Sequence, residues 1–261
     1  MTAPLPQRLG SIDELSFAAV LSDLDGVVYR GEEAVPGAVD RFNRWQATGI
    51  PYCFVTNNAE KSAEVFAEKI RGLGIDCGAE QVVTSGDVAL QYLQGQFSPG
   101  DGVYVIGSQS LKERVRNLGF RLVDMGAAAV LVALDRNFDY SMMTTALGNI
   151  LGGARLIGTN PDLIRPLADG FEPGAGAIAH SIAVSSGVAP IFLGKPEPEI
   201  IQSAIKRMGI AAESSIMLGD KLDTDILASQ RAGVRSVFME TGVPLDTRST
   251  VRPDYILARL C

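Results

Sequence analysis

The chain has 261 residues, 46% hydrophobic and 20% charged, which is enough for a substantial core in one domain or two and excludes a disordered chain. Its net charge of −7 and pI of about 4.8 exclude the broad basic face that nucleic-acid binding uses. No apolar run reaches the roughly 18 residues that span a membrane, and residues 1–10 lack the apolar segment of a secretory leader, so the expected home is the cytoplasm.

The first element is an apolar run at residues 17–21, read as a buried strand and followed by Asp23-Leu24-Asp25-Gly26. Two carboxylates two residues apart at a strand's carboxyl end suit an aspartate that attacks phosphorus, and Gly26 lets the backbone turn tightly. A second strand at 50–55 ends in Thr56-Asn57-Asn58, a neutral cradle for an anion, with a helix expected from Ala59 to Gly72. A helix is expected over 86–93. The strands at 102–107, 128–133 and 156–159, with helices at 110–118 and 140–151 between them, read as a further α/β unit. A helical stretch around 176–181 carries the only histidine, His180, expected to have a structural or surface role. A third strand is expected before Lys195, in Phe192-Leu193-Gly194-Lys195-Pro196-Glu197-Pro198, and a fourth at 216–218 before Gly219-Asp220, with Asp223 and Asp225 following. A parallel sheet gathers such strand ends along one edge, and the groups gathered here suit phosphoryl transfer. The three cysteines, Cys53, Cys77 and Cys261, lack metal-ligand spacing and read as reduced thiols.

In order and spacing these four motifs resemble the haloacid dehalogenase (HAD) superfamily, in its NagD-like, p-nitrophenylphosphatase-type branch, over roughly residues 17–245. The resemblance implies a doubly wound parallel-sheet α/β core, residues 1–92 and 181–261, with an inserted α/β cap, residues 93–180, that sets specificity. It implies a phosphatase acting on a small phosphorylated metabolite: a sugar or glycerol phosphate, a nucleoside monophosphate, pyridoxal phosphate or phosphoglycolate. Asp23 is then the nucleophile and Asp25 the general acid and base. Thr56 and Asn57 bind phosphate oxygens with Lys195, and Asn58 either joins them or caps the following helix. Three acidic groups around a dianion call for a cation. The family's is Mg2+, held by the Asp23 carboxylate, the Asp25 carbonyl and the Asp220 carboxylate. Asp225 orients either a metal-bound water or Lys195, and Asp223 either has a role at the metal site or is a solvated or helix-starting residue. The segments Gly158–Leu167 and Pro173–Gly176 match cap motifs of the branch. There Arg165 either reads an anionic leaving group or is a surface arginine, while Asn160 and Asp162 either touch substrate or fix their loop. Members often dimerise through the cap. The alternatives are a phosphomutase or phosphotransferase of the same superfamily and a non-catalytic phosphometabolite-binding protein; neither a Walker-type nor a dinucleotide-type glycine loop is present.

Overall fold

A computed structural model describes residues 5–167 and 170–260. In chain order the first elements are β1 (Gln7–Leu9), β2 (Ala19–Ser22), β3 (Tyr29–Arg30), β4 (Glu33–Ala34), α1 (Ala38–Thr48), β5 (Tyr52–Thr56), α2 (Ala63–Gly72) and β6 (Val82–Thr84). Next come α3 (Ser85–Gln96), β7 (Gly102–Ile106), α4 (Gln109–Asn117), β8 (Arg121–Leu122), β9 (Ala129–Val132), α5 (Tyr140–Leu151), β10 (Arg155–Gly158), β11 (Ile164–Leu167), β12 (Gly170–Pro173), α6 (Ala175–Ser186) and β13 (Ile191–Phe192). The chain closes with α7 (Glu199–Met208), β14 (Ser215–Gly219), α8 (Leu227–Arg231), β15 (Arg235–Met239) and β16 (Tyr255–Leu257).

Two compact units emerge. One holds the chain up to Thr56, Ala63–Val83 and everything from Lys195 onward; the other holds Asn57–Ser62 and Thr84–Gly194. In the first, a sheet of seven described strands runs β1-β16-β15-β14-β2-β5-β6. The pairings of β2 with β5 and β14, of β15 with β14 and β16, and of β1 with β16 are all parallel. Every residue of β2, β5 and β14 is buried, which is why these segments read as continuous apolar runs rather than alternating ones: helices cover both faces of a parallel sheet. From β2 the chain order grows toward β5 and β6 on one side and toward β14, β15 and β16 on the other. The reversal between β2 and β14 is the topological switch point, where open α/β sheets place their ligands.

On one face, α1 buries Phe42 and Trp45. The Phe42 ring meets those of Trp45 and of Tyr52 and Phe54 in β5, with centroids 4.9–5.2 Å away and mostly edge-to-face geometry. Arg41, 4% exposed, pairs with Asp13 at 2.6 Å. Cys53 and Cys77 are buried free thiols, and Cys261 lies outside the described residues.

The second unit has its own sheet, β13-β10-β9-β7-β8, parallel throughout, with Ile150 of α5 and Ile178 and Ile182 of α6 buried in its core. The hairpin β11–β12 is separate and antiparallel. Helices expected at 110–118 and 140–151 and the strands between them lie within one residue of α4, α5, β7, β9 and β10. Within this unit Asp87 of α3 pairs with Arg114 of α4. Two features differ from the expectations. The strand before Lys195 does not join the first sheet: β13 pairs with β10, so Lys195 reaches the first unit on a loop. The helix expected from Ala59 begins at Ala63. Asn58 Oδ1 instead accepts from the Glu60 amide at 2.9 Å, closing a local turn.

Candidate active site

Asp23 is the first residue beyond β2, and its amide donates to the Leu218 carbonyl of β14 at 2.8 Å, which sets its carboxylate at the switch point. Leu24 is fully buried and Asp25 is exposed, so the turn anchors itself by an apolar side chain and sends two acids to different environments. Gly26 completes it at φ +83°, a backbone conformation open to glycine without cost.

Lys195 is 2% exposed. Its Nζ lies 2.5 Å from Asp23 Oδ1 and 2.7 Å from Asp225 Oδ1 and donates to the Val55 carbonyl at 3.2 Å. An ammonium has three donors, and these acceptors fix it across the ends of β2 and β5. Asp225 arrives through a wide helical turn after β14, in which the Ile226 amide donates five residues back to the Lys221 carbonyl at 3.2 Å. That turn lets Asp225 Oδ2 accept from the amides of Asp220 and Lys221 at 3.0 and 3.1 Å. Gly219 makes room for it, since a Cβ there would fall 2.2 Å from Asp225 Cβ. Asp225 therefore contacts Lys195 directly. Asp223, two residues earlier, is exposed.

Asp220 ends the set. It is 3% exposed; its Oδ2 accepts from the Val243 amide at 3.0 Å, and its Oδ1 has no partner among the described residues. Burial, and then the Asp225 charge, pushes its carboxyl up to about 7. Burial likewise raises Asp23 well above the usual carboxylate range, although Lys195 opposes the rise. Burial disfavours the Lys195 ammonium, but Asp225 and Asp23 overturn that cost and hold its pKa above the ordinary value. Three buried carboxyl groups share one buried ammonium, so ionising all three would leave two negative charges over. Oxygens of Asp23, Asp220 and Asp225 lie within 4.8 Å of one another, a hard donor set that fits a small divalent cation. Sequence reasoning missed the loop Thr241-Gly242-Val243, which touches Asp220; its signal was a Thr-Gly-Val-Pro turn following an apolar run.

Thr56 is buried at the end of β5, next to β2. Asn57 and Asn58 belong to the second unit. There the Asn57 carbonyl accepts from Ser85 Oγ at 2.6 Å and Asn160 Nδ2 at 2.8 Å, and its Nδ2 donates to Asp162 Oδ2 at 3.2 Å. The Asp162 amide donates to Asn160 Oδ1 at 3.1 Å. Asn160 and Asp162 thus lock their loop onto Asn57. Arg165 is held by Glu60 at 2.5 Å and Glu172 at 3.3 Å, the same two carboxylates that Arg136 engages. His180 is exposed on α6, its ring centroid 5.5 Å from that of Phe192.

Known proteins carry the same pattern. Residues 20–121 match the family of haloacid dehalogenase-like hydrolases, and residues 192–261 match that of HAD-hydrolase-like proteins. An acid sugar phosphatase of Staphylococcus aureus is 37% identical over 228 residues, 87% of this chain and 88% of that protein. The structure of NagD from Escherichia coli K-12 superposes with a TM-score of 0.85 at 31% identity, covering 94% of this chain and 97% of its own. A glycerol phosphate phosphatase from Mycobacterium tuberculosis, solved with magnesium, superposes with a TM-score of 0.82 at 32% identity, covering 92% and 74%. Among the described residues no helix is long and apolar enough to cross a membrane. The chain belongs to the haloacid dehalogenase-like hydrolases, in their NagD-like branch, and is a phosphoric monoester hydrolase.

Proposed function

We propose that this hydrolase is a Mg2+-dependent phosphatase for a small phosphorylated polyol, a sugar or glycerol phosphate, working through an aspartyl-phosphate on Asp23. The observation that carries the proposal is the buried cluster at the switch point, in which Lys195 pairs with Asp23 and Asp225 and the neighbouring Asp220 keeps an oxygen without a partner among the described residues. The Asp23 and Asp220 carboxylates and the Asp25 carbonyl would hold the cation, which supplies positive charge that lets a dianionic phosphate approach acidic groups.

The chain's own groups divide the work. The Asp23 carboxylate attacks phosphorus as the bond to the leaving oxygen breaks, and splitting the displacement in two lowers each barrier. Asp25 gives its proton to that leaving oxygen. It then takes a proton from the water that attacks the aspartyl-phosphate, which frees inorganic phosphate and restores Asp23. Its exposure suits exchange with substrate and water. Lys195, held by Asp225, balances charge on Asp23 and on the transferring phosphoryl oxygens, and Thr56 donates to those oxygens. Such pre-set donors cost little reorganisation during reaction.

The second unit is the proposed cap, and the group that leaves with the oxygen is proposed to be neutral. Arg165, the side chain suited to a second anionic group, is already paired with Glu60 and Glu172. The names of the related acid sugar and glycerol phosphate phosphatases agree with a polyol. The test is phosphate release from a panel of phosphomonoesters with and without Mg2+, Asp23→Asn serving as control. Metal-dependent release favouring a sugar or glycerol phosphate is expected. Metal-independent release, or transfer of the phosphoryl group to an added sugar in place of water, would contradict the proposal.

A further inference from the structure

A loop outside the four motifs holds the Asp220 carboxylate. After β15 the chain runs through Glu240-Thr241-Gly242-Val243 before it reaches β16. The Val243 amide donates to Asp220 Oδ2 at 3.0 Å. Thr241 Oγ1 donates to the Gly26 carbonyl at 2.7 Å, which ties this loop to the turn carrying Asp25. Gly242 lies so close to Asp220 that a Cβ there would stand 1.9 Å from Oδ2 and 2.5 Å from Asp220 Cβ. Gly26 encloses the same oxygen: its Cβ would fall 2.4 Å from Asp220 Oδ2 and 3.0 Å from the Gly242 Cα. Oδ2 is therefore packed between two glycine backbones and bonded to an amide, whereas Oδ1 has no partner among the described residues.

We infer that Thr241, Gly242 and Val243 form a positioning clamp that fixes Asp220 by Oδ2, leaves Oδ1 to face the cation, and thereby sets the affinity for Mg2+. The clamp rests on the magnesium site proposed above. Its physical basis is twofold. A ligand held by one oxygen loses little rotational freedom when the other binds metal, and partners behind a metal ligand govern affinity through that orientation. Gly242 is required because rotation about the Asp220 Cα–Cβ bond moves Oδ2 but not Cβ. A side chain at 242 must therefore displace the loop or the end of β14, and the Val243 amide moves with it. Thr241 acts one step further out, by latching the loop to Gly26.

The experiment is calorimetric titration of Mg2+ into the full-length wild type, Gly242→Ala, Thr241→Val and Thr241→Ser, with Asp220→Asn as the non-binding reference and Tm measured for each. Gly242→Ala and Thr241→Val should bind Mg2+ roughly 10–100-fold more weakly, and Thr241→Ser, which keeps the hydroxyl, should match wild type. The Mg2+ concentration for half-maximal activity should rise in step, with a smaller change in kcat at saturating Mg2+. Wild-type affinity in a folded Gly242→Ala would overturn the clamp. If that variant does not fold, the Thr241 pair decides, and equal affinity in Val and Ser variants would overturn it. Failure of the wild type to bind Mg2+ would instead overturn the magnesium site itself.

Discussion

Two charged clusters of four side chains each make the instructive comparison. In the first unit Asp23, Asp220 and Asp225 face Lys195, and in the second Glu60 and Glu172 face Arg136 and Arg165. The second cluster is electrically balanced, and its arginines are 52% and 38% exposed. The first is almost sealed, with Lys195 and Asp225 side chains at 3% and 1% exposure, and with all three carboxyls ionised it would carry two negative charges in excess. A balanced, wet cluster has no need of a ligand and ties chain segments together. A buried imbalance is unfavourable for the protein alone, which is why the proposed cation and anionic substrate would be accommodated there.

Mutations should separate the two clusters by size and by kind. Asp23→Asn keeps the volume and removes the attacking charge, so kcat should fall by at least about 10⁴-fold while circular dichroism is unchanged. Lys195→Ala leaves Asp23 and Asp225 buried without their ammonium and should cost about 3–5 kcal/mol in urea unfolding, as well as activity. Asp220→Asn should do the reverse to stability. Relieving one of three carboxylates should stabilise the metal-free protein by roughly 1–2 kcal/mol, and the rise in Tm that Mg2+ gives the wild type should vanish. A destabilised Asp220→Asn would mean that the charge excess is not a strain on the fold.

The balanced cluster should respond less. Arg165→Ala should cost no more than about 1 kcal/mol, and relative rates across phosphomonoesters should match those of wild type, because Glu60 and Glu172 already hold the guanidinium. The hydrogen bond from Arg136, outweighing burial, holds Glu172 below its usual range. A depressed carboxylate contributes stability above its unfolded pKa and loses it as pH falls through the folded one. The Tm gap between wild type and Glu172→Gln should therefore be present at pH 7 and close below about pH 4. A gap that widens in acid would reverse the assigned sign.

What could be read from residues alone follows the same physics. Asp23, Thr56 and Asp220 were legible because β2, β5 and β14 are buried on both faces, which writes uninterrupted apolar runs that end at polar residues. The strand before Lys195 was legible as a strand but not as a member of the other sheet, since two residues, Ile191 and Phe192, carry no register information. The pairing of Arg165 with Glu60 spans 105 positions and leaves no local pattern. Nor does the Val243 amide on Asp220, because every residue but proline offers the same donor.

The most direct test is to mix the enzyme with a 32P-labelled sugar or glycerol phosphate, quench in acid within a single turnover, and map the label by peptide mass spectrometry. Label on Asp23, absent from Asp23→Asn and formed only with Mg2+, is the predicted result. Turnover with no labelled protein, or label on another residue, would contradict an account in which Asp23 attacks phosphorus inside a site that a cation completes.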